Sequence, residues 1–222
     1  MGEITRLKRT ALAIATVVGA AMLGCAGAAS APKDGPLPLQ SAPLASMAGR
    51  PVLVFPIQLQ VINSDLHIVS DAPKPPPVDF LGAFDDSIAA ALGERGLSNW
   101  TFASGITASA KRNAGMTADP HVLAVGKLQR LVKAGDDPLG QPLATQIRSL
   151  VALRDARYVI LPSIIRFENR EGGVRGSLLL YLIDTRTSRI TWSGEMISDV
   201  SSRFPAIAGS LAQRIADLVV AR

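Results

Sequence analysis

What most limits the folds open to this chain is a succession of three strand-length segments toward its C-terminal end, with only tight turns between them. Arg157–Glu168, Val174–Asp184 and Ile190–Val200 are dense in aliphatic and β-branched residues. Glu171-Gly172-Gly173 stands where a hairpin turns, and Thr185–Arg189 supplies the next reversal. In the third segment Ile190, Trp192, Gly194 and Met196 alternate with Thr191, Ser193 and Glu195, which predicts one face for each set. Three such strands in a row imply an antiparallel meander. A helix from about Pro205 to Val220 closes the chain, because Ile207, Ala208, Leu211, Ile215, Leu218 and Val219 form one apolar stripe. Ser201 or Ser202 is expected to cap it, and Pro205 suits its first turn.

Upstream, Val52–Val61 reads as a first strand interrupted by Pro56, which demands an edge position, a bulge or two abutting segments. Residues 63–77 end in Lys74-Pro75-Pro76-Pro77 and read as an exposed loop. From Val78 to Glu94 the period becomes helical, with Leu81, Phe84, Ile88, Ala91 and Leu92 on one stripe and Gly96 placed to stop it. Trp100–Ala103 reads as a short second strand. Residues 105–155 look helical but broken, at Gly115, Asp119-Pro120, Gly135–Pro138 and Gly140, with the best helix around Leu143–Leu153. The expected fold is therefore α/β of the α+β type, in the order β-α-β-α(α)-β-β-β-α. It is a mixed sheet of about five strands with helices packed on one face, ending in an antiparallel meander and a C-terminal helix.

The N-terminal end reads differently. Arg6, Lys8 and Arg9 precede Ala11–Gly24, fourteen small or apolar residues, which is short of the roughly 20 needed to span a bilayer and fits a signal-peptide core. Met22-Leu23-Gly24-Cys25-Ala26 is similar to a lipobox, in which small or apolar residues precede a lipidated cysteine at the cleavage point. Residues 1–24 are thus expected to be removed, leaving Cys25 as the lipid-bearing first residue. Two alternatives stay open: an ordinary secretory signal cut after one of the small residues 26–31, and an uncleaved anchor helix. Cys25 is the only cysteine in 222 residues, so no intrachain disulfide and no thiolate zinc cage is available. Residues 25–49, rich in Pro, Ala, Ser and Gly, read as a tether, and residues 50–222 as one domain. Ala26 lacks the aspartate that holds some lipoproteins at the inner membrane, which favours the outer membrane, facing the periplasm.

No catalytic, cofactor-binding or metal-ligating constellation emerges. His67 and His121, the only histidines, have no ligand-spaced Cys, Asp or Glu beside them. Asp85 and Asp86 point in different directions from one helix and read as a solvated face aided by the helix dipole. Asp136 and Asp137 before Pro138 fit turn chemistry. Gly126-Lys127 lacks both the earlier glycine and the following hydroxyl of a phosphate loop, and Gly209-Ser210 lies within a predicted helix rather than a nucleophile elbow. Of the net charge of +5, the signal segment carries +2, which leaves +3 and no basic stripe with interleaved aromatics, so nucleic acid is not an expected partner. Trp192 and Tyr181 are read either as core packing or as an aromatic platform. Arg166, Arg170 and Arg175 are read either as a contact for an acidic surface or as solubilising charges on a strand edge.

Ala156-Arg157-Tyr158-Val159-Ile160-Leu161-Pro162, the hairpin after it, and Leu182-Ile183-Asp184-Thr185 leading into Ile190-Thr191-Trp192-Ser193-Gly194 resemble the arrangement of envelope proteins with a TolB amino-terminal-like domain. That group includes the curli secretion lipoprotein and the LpoB-type lipoprotein activators of penicillin-binding proteins. The resemblance covers residues 50–222 in element order, is specific near 156–194, and meets Ser188 where many such turns carry glycine. It implies a lipid-anchored envelope module acting by protein–protein contact without catalysis or cofactor, with an envelope protein as partner. A pore-forming subunit, which needs alternating membrane strands of about 9–11 residues, and a hydrolase with an unrecognised site are the alternatives.

Overall fold

The computed structural model describes residues 42–62, 79–128, 130–131 and 137–220. Cys25, the signal segment, His67, the Lys74–Pro77 run and Asp136 lie outside the described residues. Five strand segments, β1 (Val52–Val54), β2 (Leu59–Ile62), β3 (Tyr158–Arg170), β4 (Gly173–Asp184) and β5 (Arg189–Ile197), form one mixed sheet. β1 and β2 both pair in parallel with β3, one after the other along the same edge, so the sheet is four positions wide rather than five. β3, β4 and β5 make the expected antiparallel meander. Four α-helices complete the fold: α1 (Phe80–Glu94), α2 (Ala103–Arg112), α3 (Leu143–Val151) and α4 (Phe204–Val219).

The expected break at Pro56 is a pair of abutting segments, and the partner strand explains why it is tolerated. The carbonyls of Ile160 and Pro162 accept from Phe55 and Gln58 across the gap. The C=O and N–H of one strand residue point to the same side, so the donor missing at Pro162 faces the same interruption that Pro56 creates. Two prolines therefore share one gap. The expected strand at Trp100–Ala103 reduces to a single bridge, in which Thr101 exchanges hydrogen bonds with Val52 and Val54. Ile106 and Ala110 fall at helical spacing and are buried, so α2 takes the chain over from Ala103.

Helices cover both faces of the sheet, not one. On the first face α1 and α4 pack with Val52, Val54, Ile160, Leu180 and Leu182, and Leu44 and Met47 join them from the start of the described chain. On the second, α2, α3 and the stretch around Leu123–Leu128 pack with Leu53, Phe55, Val159, Leu161, Tyr181 and Ile183. The reason was written in runs such as Tyr158–Leu161 and Leu178–Ile183. An unbroken apolar run, as opposed to an alternating one, marks a strand with both faces covered.

Two bulges set which residues meet which layer. Between Pro162 and Ile165, β3 carries one residue more than β4, which reverses the parity of its side chains, so Ile160 and Phe167 face the same layer. Around Thr191, β5 likewise carries an extra residue, and Ile190 and Trp192 end on opposite faces, against the expectation that they share one. The turn between β4 and β5 does without glycine because Ser188 itself adopts a left-handed conformation, with φ of 52°. At the hairpin, Gly173 has φ of 150°, and a Cβ there would lie 2.6 Å from the Ser201 carbonyl carbon. The serine expected to cap α4 does something else: Arg203 is the N-cap residue, and the Ser201 hydroxyl accepts from its N–H.

Candidate functional site

The described elements leave one part of the sheet open. Along β3 and β4 both faces are buried until the hairpin end, where burial begins to alternate: Phe167, Val174 and Gly176 are buried while Arg166, Glu168, Arg175 and Ser177 are half-buried. The buried set faces α4, whose Ile207 and Leu211 approach Gly176 closely. The other set belongs to the face that α2 and α3 cover only farther along. Register places its members side by side: Val61 beside Arg166, Arg166 opposite Ser177, Ser177 opposite Ile197, and Glu168 opposite Arg175. Leu59 and Ile197, at the two lateral margins, are 43% and 45% exposed.

The three arginines singled out from the sequence are thus brought together on a sheet face, not along a strand edge. Their partners differ. Arg170 pairs with Glu168 at 2.6 Å. Glu168, the cross-strand neighbour of Arg175, makes no ion pair with it among the described residues, and the Nε of Arg175 is buried with no hydrogen-bond partner. No carboxylate among the described residues pairs with Arg166. The aromatic platform is not formed. Tyr181 is fully buried on the second face, its hydroxyl 2.8 Å from the carbonyl oxygens of Leu128 and Arg130, whereas Trp192 packs half-buried on the first.

A second polar feature lies at the β1–β2 gap. Asp85 does not sit on a solvated helix face, nor in the first turn of α1 where the dipole would act. Its carboxylate accepts from the Ile57 N–H at 3.1 Å, a donor freed by the break after Pro56. Gln58, unremarked in the sequence, donates to the carbonyls of Pro56 and Pro120 and accepts from the Leu123 N–H, which ties the gap to the stretch after α2. Asp85 and Asp86 form one wall of a cleft of about 380 Å³, with Ser104, Thr107 and Lys111 of α2 on the other and His121 at its end. His121 Nε2 lies 2.9 Å from the Thr107 hydroxyl, but Asp119 accepts from the His121 backbone N–H, so no carboxylate orients the ring as general-base chemistry would need. Asp137, read from the sequence as a turn residue, has its carbonyl accept from the Ile190 N–H across an isolated bridge to β5, and its carboxylate reaches Arg130. Among the described residues no group of three or more His, Cys, Asp or Glu is placed to hold a metal ion.

Burial raises the Asp85 carboxyl from 3.8 to about 7, with Asp86 adding to the rise and the Ile57 N–H opposing it. A folded-state value above the unfolded one means that the native state holds the extra proton between the two values. Stability is therefore expected to fall as pH rises from about 4 to about 7 and to level off above. Asp85→Asn keeps an acceptor for Ile57 and removes the titration, so its unfolding free energy, followed by denaturant titration across that range, is expected to lack the slope.

No family model matches the chain, and no curated protein matches it. Similar solved structures include the LpoB C-terminal domain from Salmonella enterica, with 15% identity over 71% of this chain and 93% of that one and a TM-score of 0.41. A PelC dodecamer from Paraburkholderia phytofirmans has 16% identity over 79% and 90% and a TM-score of 0.41. Lipoprotein GNA1162 from Neisseria meningitidis has 19% identity over 69% and 82% and a TM-score of 0.38. One of these structures is a domain of the LpoB type named above for residues 156–194.

Proposed function

We propose that the chain is a lipid-anchored protein of the cell envelope, held through Cys25 and a Pro/Ala-rich tether, whose α/β domain acts by protein–protein contact rather than catalysis. The placement at the outer membrane, facing the periplasm, belongs to the same reading and rests on Ala26 after the cysteine. Residues 1–24 are the removable signal, and the tether leads from the lipid to the folded domain.

The observation that carries the interaction role is the open end of the second sheet face. A sheet that is sealed on both sides for most of its length and then exposes Leu59 and Ile197 around Arg166 and Arg175, with which no carboxylate among the described residues pairs, offers a flat, mixed surface of the kind protein interfaces use. The buried lengths of β3 and β4 pack against helices on both faces, which supports the interaction reading over a pore.

Crosslinking and affinity capture from envelopes, comparing the wild-type chain with Cys25→Ala, tests this. A specific envelope protein recovered with the wild type supports the reading. Recovery of none, or equal membrane association of both forms, counts against it.

A further inference from the structure

We propose that the open half of the second sheet face docks an acidic, partly apolar segment of a partner protein, with carboxylates meeting Arg166 and Arg175 and apolar side chains covering Leu59 and Ile197. This deepens the interaction reading and rests on it.

The Nε of Arg175 is buried with no hydrogen-bond partner. A guanidinium N–H removed from water and given no acceptor costs free energy that an ordinary surface arginine avoids by pointing outward. Glu168, directly across the ladder, pairs with Arg170 instead. Arg175 is half-buried, and no carboxylate among the described residues pairs with it. Arg166 lies on the same face, one row nearer the covered part of the sheet, beside Val61 and opposite Ser177. The Glu168–Arg170 pair neutralises itself, so these two arginines form the charged centre. An arginine fork is suited to a carboxylate in two-point contact.

The margins say what else the occupant must carry. Leu59 on β2 and Ile197 on β5 flank the arginines on either side, exposed by 43% and 45%, and Glu195 adds a negative group near Ile197. An anionic lipid surface is uniform in sign and would be repelled by Glu195. A protein segment can place acidic groups over the arginines and keep them from the glutamate, so complementarity favours a protein.

The test places a photoreactive amino acid at Leu59, at Ile197 or, as a control elsewhere on the surface, at Val122, in the full-length chain in intact cells. Adducts are identified by mass spectrometry down to the crosslinked peptide. Expected is one envelope protein trapped from both Leu59 and Ile197 through a segment rich in Asp or Glu. Its yield should fall about tenfold in the Arg166→Glu/Arg175→Glu variant and return when acidic residues of that segment are changed to lysine. If that double variant melts abnormally, Arg166→Ala with Arg175→Gln, which keeps a neutral N–H donor at the position of the buried Nε, is expected to show the same loss at normal stability. An adduct to phospholipid, an adduct to this same chain, or protein adducts insensitive to both variants overturn the inference. Protein adducts from Val122 alone overturn it while leaving the interaction role standing, and no protein adduct from any position removes both.

Discussion

Phe167→Ala is expected to cost about 3–5 kcal/mol of stability, a loss comparable with the whole unfolding free energy of many domains. Phe167 is fully buried where the starts of α1 and α4 meet the sheet. Its ring packs edge-on against Phe80 at 5.4 Å and Phe204 at 5.2 Å, and those two lie 5.8 Å apart, so three elements distant in sequence converge on one side chain. Removing it opens a cavity at the point that joins them and forfeits the edge contacts, each worth about 0.5–1.5 kcal/mol beyond area. The residue reaches this layer only because of the bulge after Pro162, which turns it to the side of Ile160. A denaturant titration monitored by circular dichroism checks the value. A midpoint within about 1 kcal/mol of wild type would mean that the aromatic cluster is not the keystone of this layer.

Asp184→Ala is expected to cost about 2–4 kcal/mol, through hydrogen bonds rather than packing. Asp184 is buried, and its carboxylate accepts from Arg157 Nε and from a terminal guanidinium nitrogen at 3.1 and 2.6 Å, and from the backbone N–H groups of Arg186 and Thr187. It thus holds the β4–β5 turn closed and fastens it to the start of β3. Alanine leaves those donors without an acceptor. The Arg157 bonds lead the forces that hold the Asp184 carboxyl below its usual value, with the turn N–H groups adding to them and burial opposing. Its contribution to stability is therefore present above about pH 4 and lost as pH falls further, the reverse of Asp85. Together the two predict a stability that peaks near pH 4, declines toward neutrality and collapses in stronger acid. In Asp184→Ala the acid limb is expected to flatten, as read from thermal melts at a series of pH values.

How much of this was legible depended on whether a feature obeyed a single period. α1 and α4 were readable because their stripes run at 3.6 residues, and the meander because Glu171–Gly173 and Thr185–Arg189 punctuate it. The layer arrangement was misjudged, although the continuous apolar runs of β1, β3 and β4 carried the information: two faces had to be covered, and helices on one cannot do that. The expected face failed at Ile190 because one inserted residue reverses alternation, and a bulge leaves no distinctive mark in composition.

The sites show the same division. Arg166, Arg170 and Arg175 were visible as a cluster, but their placement on a face, and the isolation of Arg175 by the Glu168–Arg170 pair, needed the register between β3 and β4. Leu59 and Ile197 were invisible as a pair because two strands and 138 residues of chain position separate them. Asp85 read as a solvated acid because its partner is a backbone N–H, which no residue type announces. Pro56 was the available signal, since a broken strand must leave donors for something to satisfy.

The claim that most of the account hangs on is that Cys25 becomes the lipid-bearing first residue of an envelope-held domain. Mass spectrometry of the N-terminal peptide of the mature protein, isolated from membranes of cells fed a labelled fatty acid, addresses it directly. The account predicts a chain that begins at Cys25, carries the label on that residue, and moves to the soluble fraction in Cys25→Ala. A mature chain that begins after one of residues 26–31 without label, or one that retains residues 1–24, would contradict it.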